Sequence, residues 1–290
     1  MAREIAIVSG KGGTGKTTIT AAFIAISQNV IMADCDVDAP DLHILLQPDM
    51  NKTEEFVSSK VAVIDEATCT GCGVCESSCR FDAAHPPDIN SISCEGCGVC
   101  ELVCSEGAIT MQDKVSGHIH ESSTRFGPMV HAKLLPGEGN SGKLVTEVRR
   151  RGLQSAEKQG KDIVLIDGSP GIGCPVIATV TGLLLGVIVT EPTLSGMHDM
   201  KRVLSLMNQM RVKPMVIINK FDLNLDNTRD IEEFCKEDNV EILGRIPFDS
   251  IMTKSMIAGK TLPEFSPDHE IVGQLHEIWK RIEDYVKMTK

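Results

Sequence analysis

The chain has 290 residues, 42% of them apolar and 24% charged, a balance that supports a folded core and excludes an intrinsically disordered polymer. Its 40 acidic residues outweigh 29 basic ones for a net charge of −11, and 3% are aromatic; both facts argue against a nucleic-acid partner, which needs clustered positive charge or rings for base stacking. No run of about 20 apolar residues and no apolar signal core occurs, so no stable membrane insertion is expected and the compartment reads as cytoplasmic.

Residues 4–8 are apolar and β-branched and predict a strand, 9–17 a glycine-rich loop, and 18–28 a helix. Residues 30–33, closing at Asp34, predict a second strand parallel to the first, because the helix between them supplies the crossover. From 61 to 111 the texture changes to Cys, Gly and Ser with little helical periodicity, which marks a separate small module. Residues 116–135 alternate and carry Gly117 and Gly127, predicting a hairpin or extension that leads to Pro136. Helices are then expected at about 142–159, 196–209 and 227–238 around strands at 162–166, 185–190 and 214–219, whose continuous apolar runs suit parallel strands buried on both faces. The fold class is therefore α/β, a mostly parallel sheet flanked by helices. Residues 1–60 and 113–290 are expected to form one discontinuous domain, interrupted by a small α+β insert at 61–112.

Gly10-Lys11-Gly12-Gly13-Thr14-Gly15-Lys16-Thr17 fits the phosphate-loop pattern between a strand and a helix. Its glycines let backbone N–H groups turn around phosphates, and the helix start at Thr18 adds favourable partial charge. Lys16 is expected on the β- and γ-phosphates and the Thr17 hydroxyl on Mg²⁺. Asp34, Asp36 and Asp38 crowd carboxylates that repel one another unless a cation lies between them. Four apolar residues ending in Asp167 have the form of a second Mg²⁺-holding strand, followed by a glycine-rich switch at 168–173. Asn219-Lys220-Phe221-Asp222 and Pro247-Phe248-Asp249 follow further strands; the first is also a guanine-reading pattern, so spacing leaves ATP and GTP open.

Lys11 makes the loop resemble the deviant Walker motif of the MinD/ParA superfamily. That resemblance implies a P-loop NTPase that binds ATP and forms a homodimer with ATP at the interface, where Lys11 reaches the partner's nucleotide. It further implies that Asp36 positions the attacking water, that Asp34 joins Thr17 and Asp167 around Mg²⁺, and that Asn219, Pro247 and Asp249 embrace the base. Lys11, Lys16 and Asp36 are the catalytic candidates. Cys174, seven residues after Asp167, matches the offset of a switch cysteine in nitrogenase iron protein, but that protein's second ligand is not found here and Cys174 is expected to be a small buried thiol.

Eight of the 11 cysteines form two copies of one run, Cys69, Cys72, Cys75, Cys79 and Cys94, Cys97, Cys100, Cys104, with the spacing of bacterial ferredoxins. In such modules the fourth cysteine serves the other cluster. One [4Fe–4S] cluster is thus expected on Cys69, Cys72, Cys75 and Cys104, the second on Cys79, Cys94, Cys97 and Cys100. Zinc is the competing reading, although zinc sites usually come as separated cysteine pairs. Arg80 and Ser105 replace the proline that often follows the fourth cysteine.

The whole resembles MinD-superfamily ATPases with an inserted ferredoxin domain. The resemblance implies Mg²⁺-dependent ATP hydrolysis gating electron transfer through the two clusters to a redox or iron–sulfur partner protein. An iron–sulfur cluster carrier is the alternative, against which Cys174 and Cys235 stand isolated; a positioning ATPase of the ParA/MinD kind is another. The last helix, 271–288, mixes acidic and basic residues on its polar face and is expected to pack rather than seek membrane. Two stretches, Glu191 to Asp199 and Gly139 to Val145, also look shared with that group; Ser141–Lys143 reads as a helix cap with a solvated lysine or as a contact near the switch.

Overall fold

The computed structural model describes residues 2–27 and 29–289; Gln28, the expected end of the first helix, lies outside them, as do the end residues 1 and 290. The N-terminal elements are β1 (Arg3–Ser9), α1 (Lys16–Ile26), β2 (Val30–Asp34), α2 (Leu42–Leu46) and β3 (Asp49–Ile64). The cysteine-rich stretch adds α3 (Val74–Ser77), β4 (Ala84–His85), β5 (Asp88–Ile89), α4 (Val99–Val103) and β6 (Ile109–Thr124). There follow β7 (Gly127–Leu134), α5 (Ser141–Gln159), β8 (Ile163–Pro170), α6 (Cys174–Val180), β9 (Leu185–Thr190), α7 (Leu194–Gln209) and β10 (Lys213–Asn219). The chain closes with α8 (Leu225–Glu237), β11 (Glu241–Ile246), α9 (Ser250–Ile257), α10 (Leu262–Phe265) and α11 (Glu270–Met288).

The chain divides into two compact units. The first takes the segments up to Thr53, Ile119–Lys133 and from Ser141 on; the second takes Glu54–His118 and Leu134–Asn140. The expected insert at 61–112 lies within the second unit, but residues 60/61 and 112/113 fall inside β3 and β6 rather than between elements. Each strand has 16 residues, β3 largely exposed and β6 largely polar, and no apolar run crosses 60/61 or 112/113 to mark a continuous strand there.

The sheet runs β11-β10-β9-β1-β8-β2-β7-β6-β3, and every pairing from β11 to β7 is parallel. β1, β2, β8 and β9 are buried almost throughout, because helices cover both faces of a parallel sheet. Ile5, Ile7, Met32, Leu165, Val187 and Ile217 form one core with α1, α10 and α11, where Phe23 and Trp279 rings lie 5.4 Å apart. The alternate residues face α5 and α6: a Cβ on Gly152 of α5 would stand 3.2 Å from Val164 and 3.7 Å from Ala33. α11 buries Ile271, Leu275, Ile278, Trp279, Ile282 and Val286, the face expected of a packing helix. No helix of the described residues is long and apolar enough to cross a membrane.

Candidate functional site

The loop between β1 and α1 takes its shape from glycines. Gly13 and Gly15 have φ of 79° and 91°, a left-handed conformation that side chains resist. Gly15 caps α1 without any side-chain acceptor, which leaves the helix's first N–H groups to an outside anion. The C-terminal end of β10 braces this loop. Asn219 Nδ2 donates to Thr14 O at 2.7 Å, and Lys220 Nζ donates to Gly13 O at 2.9 Å. A Cβ on Gly15 would come within 2.3 Å of Asn219 Nδ2, so the loop and strand fit only with glycine there. Beside the loop opens a cavity of about 420 Å³, a size suited to a nucleotide. Gly12, Gly13, Thr14, Gly15, Lys16, Thr17 and Thr18 line it on one side, and Asn219, Pro247 and Asp249 on another.

Two acidic side chains meet Lys16, and a third, Asp34, adds its charge. Lys16 Nζ lies 2.8 Å from Asp167 Oδ1 and 3.7 Å from Asp36 Oδ2; the Thr17 hydroxyl donates to Asp167 Oδ2 at 2.8 Å. Burial would lower the Lys16 pKa, but the charges of Asp167, Asp36 and Asp34 outweigh it and the ammonium is held. Asp34 sits opposite Asp167 in parallel register, fully buried. One of its oxygens accepts the Asp36 N–H at 3.0 Å, while Oδ2 has no partner among the described residues. Burial, reinforced by the Asp167 charge, pushes the Asp34 carboxyl well above the ordinary range. Burial likewise raises Asp36 to about 6 against the pull of Lys16. An orphaned buried carboxylate oxygen is costly, and a hard divalent cation ligated by oxygen removes the cost. Thr17, Asp34 and Asp167 thus fit Mg²⁺ in donor type and position.

Lys11 is absent from the cavity lining. Its Nζ is held by Glu191 Oε1 at 2.7 Å, Ser195 Oγ at 2.9 Å and Thr193 Oγ1 at 3.2 Å. Glu191 binds Lys220 through its other oxygen at 3.0 Å, and despite burial the two lysines keep its pKa low. Gly10, also outside the lining, packs on Asp199, whose backbone would meet a Cβ there at 2.5 Å. Asp249 caps α9 by accepting the Ile251 N–H at 2.8 Å. Asp222, the possible guanine reader, instead accepts the Phe248 N–H at 2.6 Å and steadies the segment Pro247–Asp249.

Met252, Thr253 and Met256 of α9, with Ala39 and Asp41, complete the cavity and carry no pattern that announces it. Glu191 had one signal, a charge directly after a buried strand, at the carboxyl end of a parallel sheet where ligands bind. Cys174 is exposed, not the small buried thiol expected, and begins α6; of the three cysteines outside the two runs, Cys35 and Cys235 are buried. Gly142 in the first turn of α5 packs on Cys174, with room for no more than a Cβ at 3.3 Å from its carbonyl oxygen. Within the Ser141–Lys143 stretch, Gly142 thus lies against the residue that follows 168–173, the expected switch.

In the second unit the cysteines form no disulfide among the described residues and gather around two cavities. One is lined by Cys79, Cys94, Cys97 and Cys100, the other by Cys69, Cys72, Cys75 and Cys104. Each set takes three sulfurs from one run and the fourth from the other. Gly71, Gly73, Gly96 and Gly98 all have positive φ, which turns the tight Cys-x-x-Cys loops inward. The fourth cysteines are equivalent: Cys79 Sγ accepts the Ala83 N–H at 3.3 Å and Cys104 Sγ that of Ala108 at 3.4 Å. The Ala83 bond leads the effects that lower the Cys79 pKa, whereas burial raises Cys75 and Cys100. No three Cys, His, Asp or Glu among the described residues converge to hold a single metal ion. The sulfurs instead bound spaces, a donor set that fits a polynuclear cluster with one thiolate per iron.

The sequence model of the CobQ/CobB/MinD/ParA nucleotide binding domain matches residues 5–262. An uncharacterized protein of Methanocaldococcus jannaschii is 33% identical over 286 residues, which cover 98% of this chain and 97% of that one. The iron-sulfur cluster carrier protein of Pyrococcus horikoshii is 24% identical, across 85% of this chain and 74% of its own. Among solved structures, the septum site-determining protein MinD of Pyrococcus horikoshii, complexed with Mg-ADP, aligns with a TM-score of 0.61 at 18% identity, covering 100% of this chain and 99% of that one; the likeness is one of fold. A phosphate loop followed by a parallel sheet, matched over most of its length, places this chain in the CobQ/CobB/MinD/ParA family of P-loop ATPases.

Proposed function

We propose that the chain is a Mg²⁺-dependent ATP-hydrolysing iron–sulfur protein whose nucleotide state gates electron transfer to a redox partner protein. The observation that carries the reading is the crossed grouping of eight cysteines around two cavities, in a chain that also bears a phosphate loop. Cys69, Cys72, Cys75 and Cys104 would hold one [4Fe–4S] cluster and Cys79, Cys94, Cys97 and Cys100 the other; when bound, these supply one-electron storage. The loop N–H groups and Lys16 bind and orient the phosphates, and Thr17, Asp34 and Asp167 hold Mg²⁺. Asp36, beside Lys16 at the cavity edge, orients water. Lys11, released from Glu191, is the residue available to a second copy's nucleotide in an ATP-bridged homodimer.

Anaerobic purification followed by iron and sulfide counting, and electron paramagnetic resonance with and without ATP, tests this directly. Two [4Fe–4S] signals whose potential or reduction rate changes with nucleotide are expected. Zinc in place of iron, or identical redox behaviour in both nucleotide states, sinks the reading.

Likeness to an iron-sulfur cluster carrier supports a second reading, delivery of clusters to other proteins. Rapid transfer of iron and sulfide to an apo-ferredoxin would favour it over electron transfer.

A further inference from the structure

The two cysteine runs share one ligand layout, so the positions where they differ carry information that ligation does not. Thr70, Ser77 and Ser78 of the first copy stand where the second has Glu95, Leu102 and Val103. Leu102 is 86% exposed, and no ligation requirement asks for an apolar residue where the other copy uses serine. Val99, one turn earlier on the same face of α4, is exposed too, and α4 buries none of its residues. Val99, Phe81 and Glu95, all exposed, line the cavity of Cys79, Cys94, Cys97 and Cys100. An apolar patch therefore borders one sulfur cavity, and such a patch on a soluble unit marks a contact surface.

Charge points to the kind of partner. The cysteine unit holds 12 Asp and Glu against three Lys and Arg, while the rest of the chain has 28 against 26. Ten of those 12 acids are exposed, Glu95 and Glu101 beside the apolar residues among them. A field of one sign draws an oppositely charged protein in, and the apolar residues then seat it.

Resting on the cluster reading above, we propose that the α4 face of the second repeat, formed by Phe81, Val99 and Leu102 with Glu95 and Glu101 around them, docks a redox protein presenting a small apolar socket rimmed by Lys and Arg. The corresponding face of the first repeat keeps exposed Val74 and Glu76 but has Ser77 in place of Leu102, Thr70 in place of Glu95 and Glu106 in place of Phe81, and does not dock it.

The test uses the cluster-loaded full chain with cytochrome c, a basic redox protein, as the probe. Zero-length carbodiimide cross-links, which join carboxylates to lysines in contact, are expected at Glu95 or Glu101 and should disappear at high salt. Leu102→Ser and Glu95→Thr give the second repeat the residues of the first. Each is expected to weaken cytochrome c binding about tenfold by calorimetry, with iron and sulfide content unchanged, and Ser77→Ala to leave binding unaltered. No binding of cytochrome c, cross-links spread evenly over both repeats, or unchanged affinity in Leu102→Ser overturns the docking face. Absence of iron and sulfide from the wild-type protein overturns the cluster reading instead; binding is measured without electron transfer, so the two failures are distinguishable.

Discussion

Asp34 and Asp167 stand side by side at the ends of β2 and β8, both fully buried, yet only Asp167 is compensated by a lysine. The uncompensated member, with an oxygen that meets no donor, is the group a cation would satisfy. Replacing Asp34 with Asn removes the buried charge. The nucleotide-free protein should then melt at the same temperature or higher, while Mg²⁺-dependent ATP turnover falls about 100-fold. Wild-type turnover in the variant would remove Asp34 from the magnesium site.

Glu191 ties down Lys11 and Lys220 at once, across a separation of roughly 180 residues in the first case. A lysine held this way is unavailable to a partner copy until the contact opens. Glu191→Gln keeps the shape and removes the charge. ATP-dependent dimerisation, followed by sedimentation, should become about tenfold tighter. An unaltered dimer constant would show that Glu191 does not restrain Lys11.

The crossed cysteine linings make a prediction that local spacing alone does not. Cys104→Ser should damage the same cluster as Cys75→Ser, although the two belong to different runs. Both should lower bound iron by about half and remove the same paramagnetic signal, whereas Cys79→Ser and Cys100→Ser should remove the other. If Cys104→Ser matched Cys100→Ser instead, the linings would not be the ligand sets.

Arg125 joins three elements by donating to Glu264 and to the carbonyls of Leu45 and Leu46. Burial would raise the Glu264 pKa, but the Arg125 bonds, helped by Thr261, bring it down to about 2. Because the folded value lies below the ordinary 4.5, the pair's contribution is complete above pH 4.5 and is lost as pH falls toward about 2. Glu264→Gln should cost about 1–2 kcal/mol at neutral pH, with a smaller loss in acid. Urea titrations across that range check it; an equal displacement at every pH would rule out the ion pair as the cause.

Asp222 holds the Phe248 N–H and does not line the nucleotide cavity. Asp222→Asn should therefore leave the ratio of ATP to GTP affinity unchanged while loosening both modestly. A selective loss of GTP binding would restore Asp222 as a base reader.

Some of this molecule was legible before any fold was known. The phosphate loop, the apolar strands and the two cysteine runs are encoded by neighbours within a few residues, where glycine φ angles and thiolate spacing act directly on local backbone. The contacts that hold Lys11, Asn219 and Asp222 were not legible. Each joins segments distant in sequence, Asn219 reaching Thr14 across 205 positions, and such contacts follow from the order of strands in the sheet. Sheet order likewise put Asp34 beside Asp167, where one of its oxygens meets no donor, and α9, which follows the edge strand β11, forms part of the cavity wall. The sequence on its own determined which groups could do chemistry, because composition and spacing set their type; tertiary packing decided which are neutralised, braced or held back, because that depends on what each one meets when buried.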